Sequence, residues 1–245
     1  KCRSPAAIVK WSVIAMPLTK EQIDQFHQDG FIIVEDVFDQ KDAEAAFVEM
    51  EKIFYGKSFD EYLAEFDETG VAEPVEPKTT GAISHYGETR YGRPQFPTGI
   101  EALDRLIEND DWLDMYEQCL GTQDLSYCNG HLFLRSGPTD KRHAEHPWQG
   151  YHIDNATNNF LPPHRETDLY HYVNSSIYLH DVPDDCAPMQ IIPGSHHQIM
   201  DLLPKLIRDG NWAGRGGIKD IRKVPEFADP VPATGKAGSV RFNSS

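Results

Sequence analysis

Residues 172–194 read YVNSSIYLHDVPDDCAPMQIIPG. Two short runs, 172–182 and 189–194, are rich in β-branched and aromatic side chains, and a Pro-Asp-Asp-Cys cluster stands between them. Runs of this kind, bounded by turn formers, read as β-strands. Two more occur in the C-terminal half, LSYCNGHLFLR (125–135) and GSVRF (238–242). The N-terminal half has a different period. The spacing predicts helices over 18–30, 39–56, 58–66 and 100–121, and one short buried strand over 31–36. Thr19 with Gln22 makes a capping box for the first helix, Ile23 and Phe26 share a face, and Gly30 supplies the stop. Asp39 caps the second, which carries Ala43, Phe47, Met50 and Phe54 before Gly56. Ile100, Leu103, Leu106 and Ile107 form the stripe of the last. Helices first and strands later predict one α+β domain, and many short strands close most naturally as a barrel or a double-sheet jelly roll.

The bulk composition narrows the function classes. The chain has 245 residues, 39% hydrophobic and 11% aromatic, which is the composition of a globular protein rather than a disordered one. A chain of this length hides roughly 70% of its unfolded surface. Thirty-nine acidic against 23 basic residues give a net charge of −16, which disfavours nucleic acid and anionic membranes as partners. The short cluster Lys141-Arg142-His143 reads as a solvated loop. The cysteines, Cys2, Cys119, Cys128 and Cys186, form no C-x-x-C and fit neither a zinc site nor a disulfide framework. Free buried thiols in a reducing, cytoplasmic compartment are expected. No apolar run is long enough to span a membrane. AIVKWSVIA (7–15) is interrupted by Lys10 and makes a poor signal peptide, whereas Met16-Pro17-Leu18-Thr19 reads like a start. Residues 1–15 are therefore expected to be a flexible extension or read-through, and 16–245 a single domain. Residues 68–99 read as a long irregular segment. Its stretch HYGETRYGRPQFP (85–97) is either a cover for the mouth of a site that meets an anionic substrate or a structural loop.

The chemistry gathers around GYHIDNATN (150–158). In an extended segment alternate residues point the same way, so His152 and Asp154 share a face. Two histidines and one carboxylate suit Fe(II) and leave positions open for a co-substrate and oxygen. Imidazole and carboxylate are harder than thiolate, which argues against copper(I) or a structural zinc site. The third ligand stays open, with His164, His171, His180, His196 and His197 downstream. A serine hydrolase is disfavoured: no G-x-S-x-G occurs, and Ser195 follows a Pro-Gly turn.

Three blocks, in order, carry a resemblance: LTKEQIDQFHQDGFIIVEDVF (18–38), YHID (151–154) and SSIYLHDVPDDCAPMQIIPGSHH (175–197). Together they resemble the phytanoyl-CoA dioxygenase family, from about Thr19 to the end of the chain. The resemblance implies a double-stranded β-helix (jelly-roll) core with N-terminal helices packed around it. It implies an Fe(II)- and 2-oxoglutarate-dependent dioxygenase that hydroxylates a C–H bond of a small-molecule substrate with O2, giving succinate and CO2. By position, His152 and Asp154 look like two iron ligands, and His131, Arg135 and Ser176 fall where relatives hold 2-oxoglutarate. Arg135 suits that role because a guanidinium grips a carboxylate at two points. A carboxylate at 154, where related halogenases have a small residue, favours hydroxylation.

The chain also departs from the family pattern. Cys186-Ala187 stands where relatives often have Asn-Gly, so a left-handed glycine is lost from that turn. The family's distal histidine and its 2-oxoglutarate arginine follow the strand that GKAGSVRFNSS (235–245) resembles, so the chain as written is expected to hold two of three iron ligands and an incomplete site. Arg241 precedes the expected histidine and is not expected to be that arginine. His196 and His197 are expected in a loop beyond a strand, not at the metal. Two other readings stay open: a non-catalytic binding module, and a cupin-like manganese or zinc enzyme whose third ligand is His164, His171 or His180.

Overall fold

The computed structural model of the chain describes residues 18–56, 60–61, 64–65, 96–127, 130, 132, 151–153, 172–186, 188–213 and 217–244. In chain order the elements are α1 (Lys20–Asp29), β1 (Phe31–Val34), α2 (Gln40–Tyr55), α3 (Glu101–Ile107), α4 (Asp110–Leu120), β2 (Val173–Ile177), β3 (Met189–Ile191), α5 (Ser195–Arg208), β4 (Trp212–Ala213), β5 (Gly217–Ile218), β6 (Val231–Ala233) and β7 (Val240–Ser244). A 3-10 turn covers Ile221–Lys223.

The local signals at the N-terminus act as expected. The Thr19 hydroxyl accepts from the Gln22 N–H while the Gln22 side chain accepts from the Thr19 N–H, and Gly30 ends α1 in the left-handed conformation at φ 80°. Asp39 accepts from the Lys41 N–H at the start of α2, and Gly56 closes it. The helix expected over 58–66 falls mostly outside the described residues. The single helix expected over 100–121 is two. Asn109 accepts from the Trp112 N–H at 2.8 Å and starts α4 afresh, with Asp110 and Asp111 in its first turn where the helix dipole favours acids.

The jelly-roll core is not what the structure has. Among the described residues the sheets have two or three strands, and none is closed into a barrel or curled. The largest has the order β1-β7-β2, antiparallel throughout, with β3 paired to β6 and β4 to β5. The strands are shorter than their sequence runs. The run over 172–182 keeps its ladder to β7 only through Ile177, opposite Val240. Gly238, at φ 85°, turns the partner backbone two residues before β7, and past Ile177 the two segments meet in separate bonds such as Tyr178 N–H to Ser239 O. The run over 189–194 stops at Ile191 because Gly194, also left-handed, opens α5. In 125–135 the described residues Leu125–Tyr127, Gly130 and Leu132 lie in no strand. β7 is the middle strand, paired on both sides.

Two apolar clusters hold these pieces. The first joins α1, α2, α3 and α4 to one face of the large sheet through Phe26, Met50, Leu103, Trp112, Met115 and Phe242. The second gathers Ile192, Ile199, Leu206, Ile218, Ile221 and Val224 around α5, with Tyr151 and Ile153 packed against it.

Candidate functional site

His152 lies on an extended stretch. It forms an isolated antiparallel bridge with Gly217, and the Ile218 N–H donates to the Tyr151 carbonyl at 2.7 Å. Tyr151 and Ile153 are half-buried against the second apolar cluster, while His152 between them is exposed. That alternation is what an extended His-x-Asp segment needs in order to offer its imidazole outward. Asp154, His131 and Arg135 lie outside the described residues, as do His164 and His171. Among the described residues no group of three His, Cys, Asp or Glu is placed to hold a metal ion.

Ser176 sits on β2 directly opposite Arg241 of β7. Residues opposite each other in an antiparallel pair share a face. One face of the large sheet therefore carries Asn174 and Ser176 from β2, Arg241 and Asn243 from β7, and Phe31 and Ile33 from β1. Arg241 is only 5% exposed and Asn243 6%. The Arg241 guanidinium donates from Nη2 to Ser176 Oγ at 2.7 Å and from Nε to Asn243 Oδ1 at 3.2 Å, and its Nη1 reaches Met189 Sδ at 2.8 Å. A permanently charged group is thus fixed at three of its atoms inside the protein. Sequence reasoning singled out Ser176 but set Arg241 aside and did not weigh Asn243. The signal was the alternation in Val-Arg-Phe-Asn, which puts two polar side chains on one face of a strand whose other face is core.

His180, His196 and His197 have structural neighbours. His180 Nδ1 meets the Asp181 carbonyl at 2.6 Å and its ring stacks obliquely on Phe47 at 4.9 Å. His196 and His197 are not in a loop, as expected, but in the first turn of α5. Their Nε2 atoms both face the His27 carbonyl at the end of α1, at 3.2 and 2.8 Å, and their rings lie 3.8 Å apart. Burial, the neighbouring His197 and His27 push His196 down to about 4, against a bonus from the His27 carbonyl, so it is neutral near pH 7 and its Nε2–H can donate. Pro204 inside α5 hid this helix in the sequence, since proline removes a backbone donor. Of the cysteines, Cys119 is buried, which pushes its thiol up to about 12, and Cys186 is exposed. Among the described residues no helix is long and apolar enough to cross a membrane.

Comparison with known proteins bears on the whole of this arrangement. The family model for phytanoyl-CoA dioxygenase (PhyH) matches residues 26–244. The ectoine dioxygenases of Bordetella bronchiseptica and Bordetella parapertussis are each 22% identical to the chain over 242 residues, covering 92% of it and 67% of their own length. The match runs from α1 to β7 and takes in both the His152 bridge and the buried polar face. The chain belongs to the phytanoyl-CoA dioxygenase family.

Proposed function

We propose that the protein is an Fe(II)- and 2-oxoglutarate-dependent dioxygenase that hydroxylates a C–H bond of a small metabolite. The support is the family match over 26–244, joined to the one part of the metal motif that the described residues include: His152, exposed on an extended segment. The donor set fits the metal. An exposed imidazole and, two residues on, a carboxylate are hard ligands of the kind Fe(II) takes. Of the two described cysteines, Cys119 is buried and keeps its proton, so it offers no competing thiolate.

In this reading His152 and Asp154 hold the iron. Ser176, His131 and Arg135 orient 2-oxoglutarate by hydrogen bonds to its carboxylates. Iron with 2-oxoglutarate and O2 supplies the oxidising chemistry, leaving hydroxylated product, succinate and CO2. The protein's part is to bind, orient and keep water out. The buried face around Arg241 and Asn243 suits an anion better than an apolar ligand, because it is already polar and fixed.

The test is an anaerobic titration of Fe(II) and 2-oxoglutarate into the chain, following the visible charge-transfer band, then succinate release in air with candidate substrates. Ectoine, named for the Bordetella relatives, is the first to assay. A band in the wild type that His152→Ala abolishes supports the reading. A wild type that binds 2-oxoglutarate no better than His152→Ala sinks it in favour of a binding module without this chemistry.

A further inference from the structure

Ser175 and Ser176 are neighbours on β2 that face opposite ways. Ser175 Oγ accepts from Trp112 Nε1 at 3.2 Å and from the Tyr116 hydroxyl at 2.8 Å, on the helix side of the sheet. Ser176 Oγ accepts from Arg241 Nη2 at 2.7 Å, on the polar side. A guanidinium has donors only, so Ser176 can do nothing but accept from it. A hydroxyl carries a single proton, and with the oxygen engaged that proton must point elsewhere. Asn243 and Met189 hold the other guanidinium nitrogens, so the fork cannot swing away. Donation from a charged group also polarises the acceptor and makes its own proton a better donor.

We infer that Arg241 is a positioning residue that turns Ser176 into an aimed hydrogen-bond donor for a carboxylate of the 2-oxo acid. Arg241 acts through Ser176, whose oxygen it engages, and not on the ligand itself. This rests on the reading of Ser176 as a 2-oxoglutarate contact and adds the residue that sets its direction. It also gives a purpose to a buried arginine that precedes the place where the family's own arginine is expected.

The experiment uses the full chain, loaded with Fe(II) under anaerobic conditions and titrated with 2-oxoglutarate, the band giving its affinity. Fe(II) affinity without the 2-oxo acid and thermal unfolding are measured alongside. Ser176→Ala and Arg241→Met are each expected to weaken 2-oxoglutarate about tenfold or more, the loss of one hydrogen bond to a charged group. Fe(II) affinity should stay within about twofold, since neither residue is assigned to the metal. The double variant should bind no worse than Ser176→Ala alone, and Arg241→Lys should recover part of the loss seen in Arg241→Met. Losses that multiply in the double variant overturn the inference, because Arg241 then acts on the ligand by itself. If Arg241→Met does not fold, Ser176→Ala decides: wild-type affinity there overturns the inference while a wild-type band leaves the functional reading standing. Absence of a band in the wild type removes that reading and the inference with it.

Discussion

The two faces of the β1-β7-β2 sheet are built from the same strands and do opposite work. On one side Val240 and Phe242 are fully buried under aromatic rings of α4: Tyr116 meets Phe242 edge-on at 5.2 Å and Trp112 meets Tyr116 in the same way at 5.1 Å. On the other, Arg241 and Asn243 are nearly as deeply buried, and hydrogen bonds link Arg241 to Asn243 and Ser176. A strand one residue out of register would put arginine into the aromatic stack and phenylalanine onto the polar side. Burial alone therefore does not tell core from site. What separates them is that the apolar face gains by excluding water from carbon, whereas the polar face pays desolvation and recovers it only through fixed hydrogen bonds. The first is how a fold is stabilised; the second is the kind of face that the proposed 2-oxo acid contact needs.

The sharpest way to break this contrast is Phe242→Ala. Phe242 is fully buried and its ring is the floor of the aromatic stack, so the substitution should cost about 3–5 kcal/mol in urea unfolding. A loss below about 1 kcal/mol would mean that the site collapses freely around the cavity and that this face is not the core.

Gly238→Ala comes next because it touches both faces at once. The residue sits at φ 85° two positions before β7, and a Cβ there would press into the Phe38 carbonyl, part of a backbone that is itself held by Phe38 N–H donating to Gly238 O at 3.0 Å. Backbone cannot swing aside as a side chain does. A cost of about 1–3 kcal/mol is expected from the strained conformation, with both the aromatic stack and the Ser176–Arg241 pair disturbed. Near-ultraviolet circular dichroism reports the aromatic side, and unchanged spectra and stability would show that the turn does not set the register.

Asn243→Ala should do less. It takes from buried Arg241 one acceptor and removes an amide that donates to the Ser244 carbonyl, about 1.5–2 kcal/mol in all. If it proved as damaging as Phe242→Ala, the polar face would be structural rather than poised for a ligand.

Legibility in the sequence follows the same division between local and distant causes. The ends of α1 and α2 were readable because Thr19, Gly30, Asp39 and Gly56 act on backbone within a turn of themselves. Asn109 carried an equally local signal, but the apolar stripe ran through it and masked the break. The sheet was not readable. Its middle strand is the last in the chain and its partners begin at Phe31 and Val173, so pairing depends on contacts across most of the sequence. Short strand-forming runs suggested a closed core, yet left-handed glycines at 194 and 238 cut or bend the ladders before sheets of that size can form. Of the residues proposed for the site, His152 was singled out by its motif and Ser176 by the resemblance. Arg241 could be found only once β2 lay beside it.

A pH dependence is also expected at the end of β7. Ser244 donates from its N–H and its hydroxyl to the Gly30 carbonyl, at 2.8 and 3.2 Å, and Gly30 is the turn against which His196 packs. An ordinary histidine titrates at 6.5, whereas burial brings folded His196 to about 4. Above pH 6.5 both folded and unfolded chains hold it neutral and its contribution to stability is complete. As pH falls toward 4 the unfolded chain takes up a proton that the folded one resists, so stability drops through that window and changes no further below it. The titratable groups facing it are His197 on its own helix and His27 on α1. His196→Gln keeps a side-chain donor for the His27 carbonyl without titrating, so the variant should lose less stability than the wild type between pH 6.5 and 4. The difference between the two urea midpoints isolates this group from the carboxylates, which both chains share. Parallel curves would mean that His196 protonates in place, and that the joint holding the end of both faces is looser than its packing implies.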